Sequence, residues 1–597
     1  MNILAILVIA VFAFVLASRF YSRYIGRILG EDVKHATPAV TKNDGRDYVP
    51  TKTYVVFAHH FSAIAGAGPI LGPTMAILYG FVPAWLWVVL GGIFIGAVHD
   101  FTALFVSMRE GGKSMAEVAR KTLGPAGFNL FIGFTIVMIV LVTSSFLSAT
   151  SISLTSLWPL AKIGVTEGET FLKTVVKDGV VMGRIGGIAS MSVIVITLSS
   201  PFLGWLIYRK RIHAAPAYLI ASVICVGSVL LGIAYPITLS PTTWMVIISI
   251  YVLFAAGVPV WLILQPRDFI NVQILYGGII MMIAAIFANG FSGLSVTMPS
   301  FNLSEGTRNL GFIWPMMFCT IACGAISGFH ALVAGGTTGK QLSLETDARR
   351  VGYNAMLLES TLSVCVLVAL GAAMSFVDYK SIVWPSDPAV KSNPILGFSL
   401  AAGHLFNLGL GIPVALGAVF GILLVEGFVI TTLDAAVRLN RYLFEELWAI
   451  VFKNPPRLLK HYWFNAGLSV LVMWSLAYSN AFNTLWPIFG TANQLLAALA
   501  LLAVSAWLLL RKKKKAFTLI PAIFMLVTTI ASLLILMGNY VRTKNYILIG
   551  ADVLMLVLSV GVVWLVAKTF LRRTEPVAGP VGGAGAKLEP AGAGRKT

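Results

Sequence analysis

Apolar runs of bilayer-spanning length recur through this chain so densely that few architectures remain open to it. They cover about 2–20, 53–79, 81–107, 127–155, 187–208, 213–235, 244–264, 270–290, 312–337, 354–377, 412–435, 464–480, 484–510, 517–538 and 546–570, fifteen in all. Most approach the ~20 residues a helix needs to cross roughly 30 Å of hydrocarbon. With 58% hydrophobic and 11% charged residues, the chain is expected to be an all-α polytopic membrane protein, because in lipid every backbone group must be satisfied internally.

The formal net charge of +19 would point to nucleic acid or an anionic surface in a soluble protein. Here the loops explain it. If the fifteen runs cross in turn, one set of loops carries 34 Lys and Arg and the other set 9. The basic side is cytoplasmic by the positive-inside rule, which puts the N-terminus outside and the C-terminus inside and leaves no nucleic-acid partner to invoke. The run RKKKK at 511–515 is placed to touch anionic lipid. The first run lacks a basic leader and is read as a retained span rather than a cleaved signal. Cys225, Cys319, Cys323 and Cys365 all fall within spans and predict no disulfide framework. The Gly-, Ala- and Pro-rich tail 571–597 has no apolar period and is expected to be disordered.

One span is built from residues a continuous helix should avoid. In HHFSAIAGAGPILGP, residues 59–73, Gly66, Gly68 and Gly72 alternate with Pro69 and Pro73. Irregular backbone at membrane depth is tolerated only inside the protein or along a cavity. The break therefore predicts two half-helices whose free N–H and C=O groups seat a ligand, with Ser62, Ala65, Gly66, Ala67 and Gly68 in contact with substrate. Gly257 and Val258, in FAAGVPVWLILQPRDFIN, mark a second interrupted span and join the predicted substrate site. SGFHALVAGGTTGK looks like a third. Counted from 53–79 as the first core helix, the second break falls in helix six. An odd repeat of five helices inverts the second copy, so the reading is a LeuT-like 5+5 inverted-repeat core with about five additional helices.

Once every Lys and Arg is assigned to a loop, five acids remain in the spans: Asp100, Glu359, Glu426, Asp434 and Asp552. A buried carboxylate without a basic partner is expected to hold a proton, bind a cation or face water. Asp434 and Asp552, near span ends, are expected to reach the interface. His59, His60, His99 and His330 sit beside the breaks or beside Asp100. Together His59, His60, His99, Asp100, His330 and Glu359 form the expected ion-coupling set. No cofactor is expected, the coupling ion being a proton or other cation. A structural or coupling metal at the histidines is an alternative, as is, more remotely, an intramembrane metalloenzyme, although no HExxH pair is present. A channel or nutrient sensor is a further rival, but no loop is long enough for a sensory domain.

AHHFSAIAGAGPILGP, VHDFTALFVSMREGGKSMAEVAR, VPVWLILQPRDFIN, SGFHALVAGGTTGKQL with ETDARRVGYNAMLLES, and LWPIFGTANQLLAALAL together resemble the carbon starvation protein A family. The resemblance implies an inner-membrane carrier related to the amino acid–polyamine–organocation superfamily, taking up peptides or pyruvate, the latter with protons, and not an enzyme. The expected organisation is an extra helix and cytoplasmic loop over 1–52, a transport core over 53–435, additional helices over 436–570 and the tail. Residues 395–408 are expected to form a short external or re-entrant helix.

Overall fold

The computed structural model describes residues 1–44, 48–163, 171–259, 262–387, 390–452 and 454–571. The tail beyond 571, with its expected disorder, lies outside the described residues.

Among the described residues eleven helices are long and apolar enough to cross a membrane, and the chain is a multi-pass membrane protein. They are α1 (Ile3–Leu29), α4 (Phe81–Arg109), α5 (Pro125–Ser153), α6 (Ile185–Arg209), α7 (Ala215–Ala234), α9 (Leu264–Phe291), α12 (Arg349–Ala373), α14 (Val414–Val451), α16 (Phe482–Leu510), α17 (Ala516–Arg542) and α18 (Tyr546–Thr569). A twelfth span is the pair α2 (Thr53–Ile64) and α3 (Gly68–Ala76), bent by 44° at the break between them. The other three expected spans are shorter or interrupted: α8 (Pro241–Ala255), α10 (Ile313–Thr320) with α11 (Phe329–Gly336), and α15 (Tyr462–Ser479).

Contacts among the loops sort these pieces between two ends of the bundle. One end carries a small antiparallel sheet of Trp158–Pro159, Thr174–Lys177 and Val180–Gly183, in the order first, third, second. At this hairpin end the Asn2 amide donates to the Gly290 carbonyl at 2.9 Å, the Asn393 amide to the Ser156 hydroxyl at 2.7 Å and the Thr297 N–H to the Gly371 carbonyl at 2.8 Å. At the opposite, basic end Arg109 donates to the Gly30 carbonyl at 2.8 Å, Arg511 pairs with Glu110 at 2.8 Å and Thr53 donates to Asp347 at 2.6 Å. Segments that follow one another in sequence run between alternate ends, as the loop charges imply.

α13 (Pro394–Leu410) has 17 residues and stays near the hairpin end, where its Leu405 carbonyl accepts from Asn289 at 2.9 Å. Three expectations need correction. The core boundary at 435 falls inside α14, which continues unbroken to Val451; at 1.5 Å per residue its 38 residues extend roughly 57 Å, well beyond a bilayer core. Arg267 is not a loop residue: it lies in the first turn of α9, 1% exposed, and its guanidinium approaches Asp434 at 3.3 Å and the Tyr251 hydroxyl at 2.8 Å. Asp434 therefore does not reach outward to water, because a basic partner meets it inside. Asp552, near the start of α18, is fully buried against its neighbours in the bundle.

Candidate transport site

The break in α2–α3 faces a second break, and it is the one between α10 and α11. A Cβ added to Gly68 would lie 2.5 Å from the Cys323 Cβ, and one on Gly72 would lie 3.0 Å from the Thr320 carbonyl. Glycine is required here by close backbone approach. Residues 321–328 leave regular helix, and their carbonyl and amide groups need partners that lipid cannot give.

Side chains supply them. Trp87 donates to the Ile321 carbonyl at 3.2 Å, Trp486 to Thr320 at 3.1 Å, Ser360 to Gly324 at 3.0 Å and Gln494 to Phe318 at 2.5 Å. Across the gap, Ser363 donates to the Pro69 carbonyl of the first break at 2.8 Å. The Asn493 side-chain oxygen accepts from the Phe329 N–H at 3.1 Å, while its amide reaches Ser327 at 3.1 Å. Each such bond contributes ~0.5–1.5 kcal/mol net, and leaving it unmade costs ~1–3 kcal/mol, so the two breaks are built features of the fold. A cavity of about 30 Å³ remains between them, lined by Ile64, Gly66, Gly68, Cys323, Thr432 and Asn493 among others.

Beside the breaks lies a chain of buried ionisable groups. Asp100, on α4, is fully buried and meets two imidazoles: its own neighbour His99 through Nδ1 at 2.8 Å, and His330 through Nδ1 at 2.7 Å. His330 stands in the first turn of α11. Its Nε2 lies 3.3 Å from an Oε of Glu359 on α12, and Glu359 is also fully buried. Neither Glu359 oxygen has a hydrogen-bond partner among the described residues.

With Nδ1–H donated to Asp100, the His330 Nε2 either carries a second proton toward an ionised Glu359 or accepts from a protonated one. Either arrangement places one proton on the pair. Removing it would leave two buried carboxylates beside neutral imidazoles, an expensive arrangement in low dielectric; adding one neutralises the group.

Of the remaining expected residues, His60 is buried on α2 with Nδ1 2.9 Å from the Thr338 hydroxyl, just beyond α11. His59 is on the exposed side of α2 and outside the cluster. Ala65 and Ala67 are buried at the break and Ser62 is half-buried one turn earlier. Gly257 and Val258 are not brought to these groups. They lie toward the basic end, where a Cβ on Gly257 would sit 2.7 Å from the Tyr462 hydroxyl and Arg438 donates to the Val258 carbonyl at 2.7 Å. Among the described residues no group of three or more His, Cys, Asp or Glu is arranged to hold a metal ion. Asn493, Thr432, Ser360 and Ser363 were not singled out by sequence. The signal for the first was a polar pair, Asn493–Gln494, inside an otherwise apolar span.

The family model described as carbon starvation protein CstA matches residues 2–387 and 372–532. The chain belongs to the carbon starvation protein CstA family. Within that family it is 31% identical to the peptide transporter CstA of Campylobacter jejuni, over 88% of this chain and 79% of that one. It is 31% identical to the peptide transporter CstA of Bacillus subtilis, over 88% and 89% respectively. It is 30% identical to the pyruvate/proton symporter BtsT of Escherichia coli, over 88% and 80%. These named relatives are transporters, not enzymes. Among solved structures, MhsT in complex with L-phenylalanine aligns at a TM-score of 0.43 and 12% identity over 87% of this chain and 100% of that one. A manganese transporter of Eremococcus coleocola aligns at 0.44 and 12% over 88% and 99%.

Proposed function

We propose that this chain is a proton-coupled secondary carrier that imports a small carboxylate-bearing nutrient, pyruvate or a short peptide, across the bacterial inner membrane. The observation that supports it best is the position of the Asp100–His330–Glu359 chain against two facing helix breaks. α11 carries His330 and begins at one break, so a change in the proton shared with Glu359 acts on the backbone that frames the cavity. In the first turn of α3 Pro69 has no N–H and the Ile70 and Leu71 N–H groups bond the Ala67 carbonyl at 3.1 and 2.9 Å, so what this helix start offers a carboxylate is the Gly68 N–H and the positive end of the helix dipole. The substrate classes come from the names of the relatives.

On this reading the repeat is LeuT-like but starts its second copy at α10 rather than at α8. Each copy has a broken span, a long helix, a short helix and a second long helix, and the second copy inserts α13 before the last. The first copy has α2–α3, α4, Met115–Leu123 and α5; the second has α10–α11, α12, Phe376–Val383 and α14. The closing helices α5 and α14 pack against each other. On this reading the basic end is cytoplasmic, with the N-terminus outside and the C-terminus inside, and the repeat supports relatedness to the amino acid–polyamine–organocation superfamily.

The test is uptake by purified protein in liposomes. Labelled pyruvate and a labelled dipeptide are supplied separately with and without an inward proton gradient, and the sample is assayed for zinc and iron. Gradient-dependent accumulation of either solute by metal-free protein is the expected result. Accumulation that ignores the gradient overturns proton coupling, and chemical conversion of the solute overturns the carrier.

A further inference from the structure

A second, larger cavity lies at the hairpin end. It measures about 400 Å³ and is lined by Ser148, Lys391, Ser392, Tyr478 and Asn483 among others. Its floor includes Phe482, the first residue of α16, while Phe489 and Asn493 of the same helix line the cavity between the breaks. Positions 482, 486, 489 and 493 recur at intervals of three and four, so they share one stripe of α16. Seven residues separate Phe482 from Phe489, roughly 10 Å of helix rise.

Aromatic rings fill that interval. The Trp486 ring lies 5.3 Å from Phe482 and 5.1 Å from Phe489, and Phe146 of α5 lies 6.4 Å from Trp486 and 6.2 Å from Phe489. The partition is also tied to the second break, because the Trp486 indole N–H donates to the carbonyl of Thr320, the last residue of α10, at 3.1 Å.

We propose that the 400 Å³ cavity is where solute first binds from the hairpin side, and that Phe146, Trp486 and Phe489 form the partition that must swing aside to admit it to the space between the breaks. The proposal rests on the carrier reading above. Volume argues for it: 400 Å³ is within the ~300–1,000 Å³ of small-molecule pockets, whereas 30 Å³ holds about one or two waters. Even a three-carbon acid enters the inner space only when rings move. The outer cavity carries one charge of each sign, the Lys391 ammonium and the Asp387 carboxylate, with the hydroxyls of Ser148, Ser392 and Tyr478 and the Asn483 amide as hydrogen-bonding groups, a lining that fits a small zwitterion and offers a carboxylate the Lys391 ammonium.

Cys323 lines the inner cavity and serves as a reporter. With Cys225, Cys319 and Cys365 replaced by Ala, the full chain in liposomes is treated from the hairpin side with a membrane-impermeant methanethiosulfonate. Slow modification of Cys323 is expected in this parent, and modification about tenfold faster in Phe146→Ala. Trp486→Phe keeps a ring but loses the indole donor and is expected to give a smaller acceleration. Asn483→Cys, made with Cys323→Ala, is expected to react rapidly and to be protected by millimolar pyruvate or dipeptide, less so when Lys391→Gln is added. Monodisperse elution of each variant establishes folding. The proposal is overturned if Cys323 reacts at the parental rate in both Phe146→Ala and Phe489→Ala, or if Asn483→Cys is inert. Accelerated labelling with no uptake of either solute would sink the carrier reading and leave the passage standing; gradient-driven uptake with labelling indifferent to the rings would do the reverse.

Discussion

His330 and Glu359 come from different helices, α11 and α12, and meet at 3.3 Å with essentially no exposure on either side chain. Their separation in sequence is 29 residues, and nothing in local periodicity brings them together. Because Asp100 holds the other face of the same imidazole, a neutral His330 beside an ionised Glu359 would put two buried carboxylates on one uncharged ring. Glu359→Gln removes the acidic member while keeping its shape. Gradient-driven accumulation is expected to fall at least about tenfold, with solute exchange across the membrane retained, and Asp100→Asn is expected to behave likewise. Parental accumulation in both variants, measured in liposomes, would make these groups structural.

Two glycines at the first break are expected to differ. A Cβ on Gly68 runs into Cys323, whereas one on Gly66 stands 3.7 Å from the Thr432 hydroxyl, ordinary contact. Gly68→Val should abolish uptake in protein that still inserts, and Gly66→Ala should retain most of it. Equal uptake by the two would show that transport does not depend on the close approach of the breaks.

The Arg267–Asp434 pair is expected to show its burial in stability. Asp434→Ala removes the carboxylate that meets the buried guanidinium, leaving only the charge of the adjacent Asp268 near it, and should destabilise the folded protein by about 3 kcal/mol. The double variant Arg267→Met with Asp434→Leu removes both charges and should recover most of that. Thermal unfolding in detergent separates the cases, and a double variant no more stable than Asp434→Ala would contradict the pairing.

At the basic end, burial acts to raise the carboxyl of Glu110, but hydrogen bonds from Lys121 and Trp507, with the charges of Lys121 and Arg511, outweigh it and hold the group below the ordinary glutamate range. A depressed folded value means that the ionised form stabilises the fold above the unfolded value, and that this contribution is lost as pH falls through the folded one. The gap in melting temperature between the parent and Glu110→Gln should therefore be steady near neutrality and close progressively below about pH 4.3. A gap independent of pH across that window would show that the contacts act without charge.

The chain's residues by themselves determined that it is a helical membrane protein, that its loops alternate between a basic and a poorly basic end, and that the span 53–79 is broken beside Gly66. Those are properties of composition and of local backbone chemistry: apolar length, Lys and Arg placement, and proline and glycine in a span. The ingredients of the polar chain were legible too, since Asp100, Glu359 and His330 are costly in a span wherever they occur. What only tertiary structure decided was partnership. The break at Ala65–Gly68 faces residues 321–328 and not Gly257–Val258, His60 turns inward while His59 turns out, and Asp434 finds Arg267. Each outcome depends on which helix faces which across tens or hundreds of residues, and on side chains such as Ser363, Trp486 and Asn493 that satisfy a neighbour's irregular backbone. A span's sequence records that its polar groups need partners; only the packed bundle supplies the particular partner.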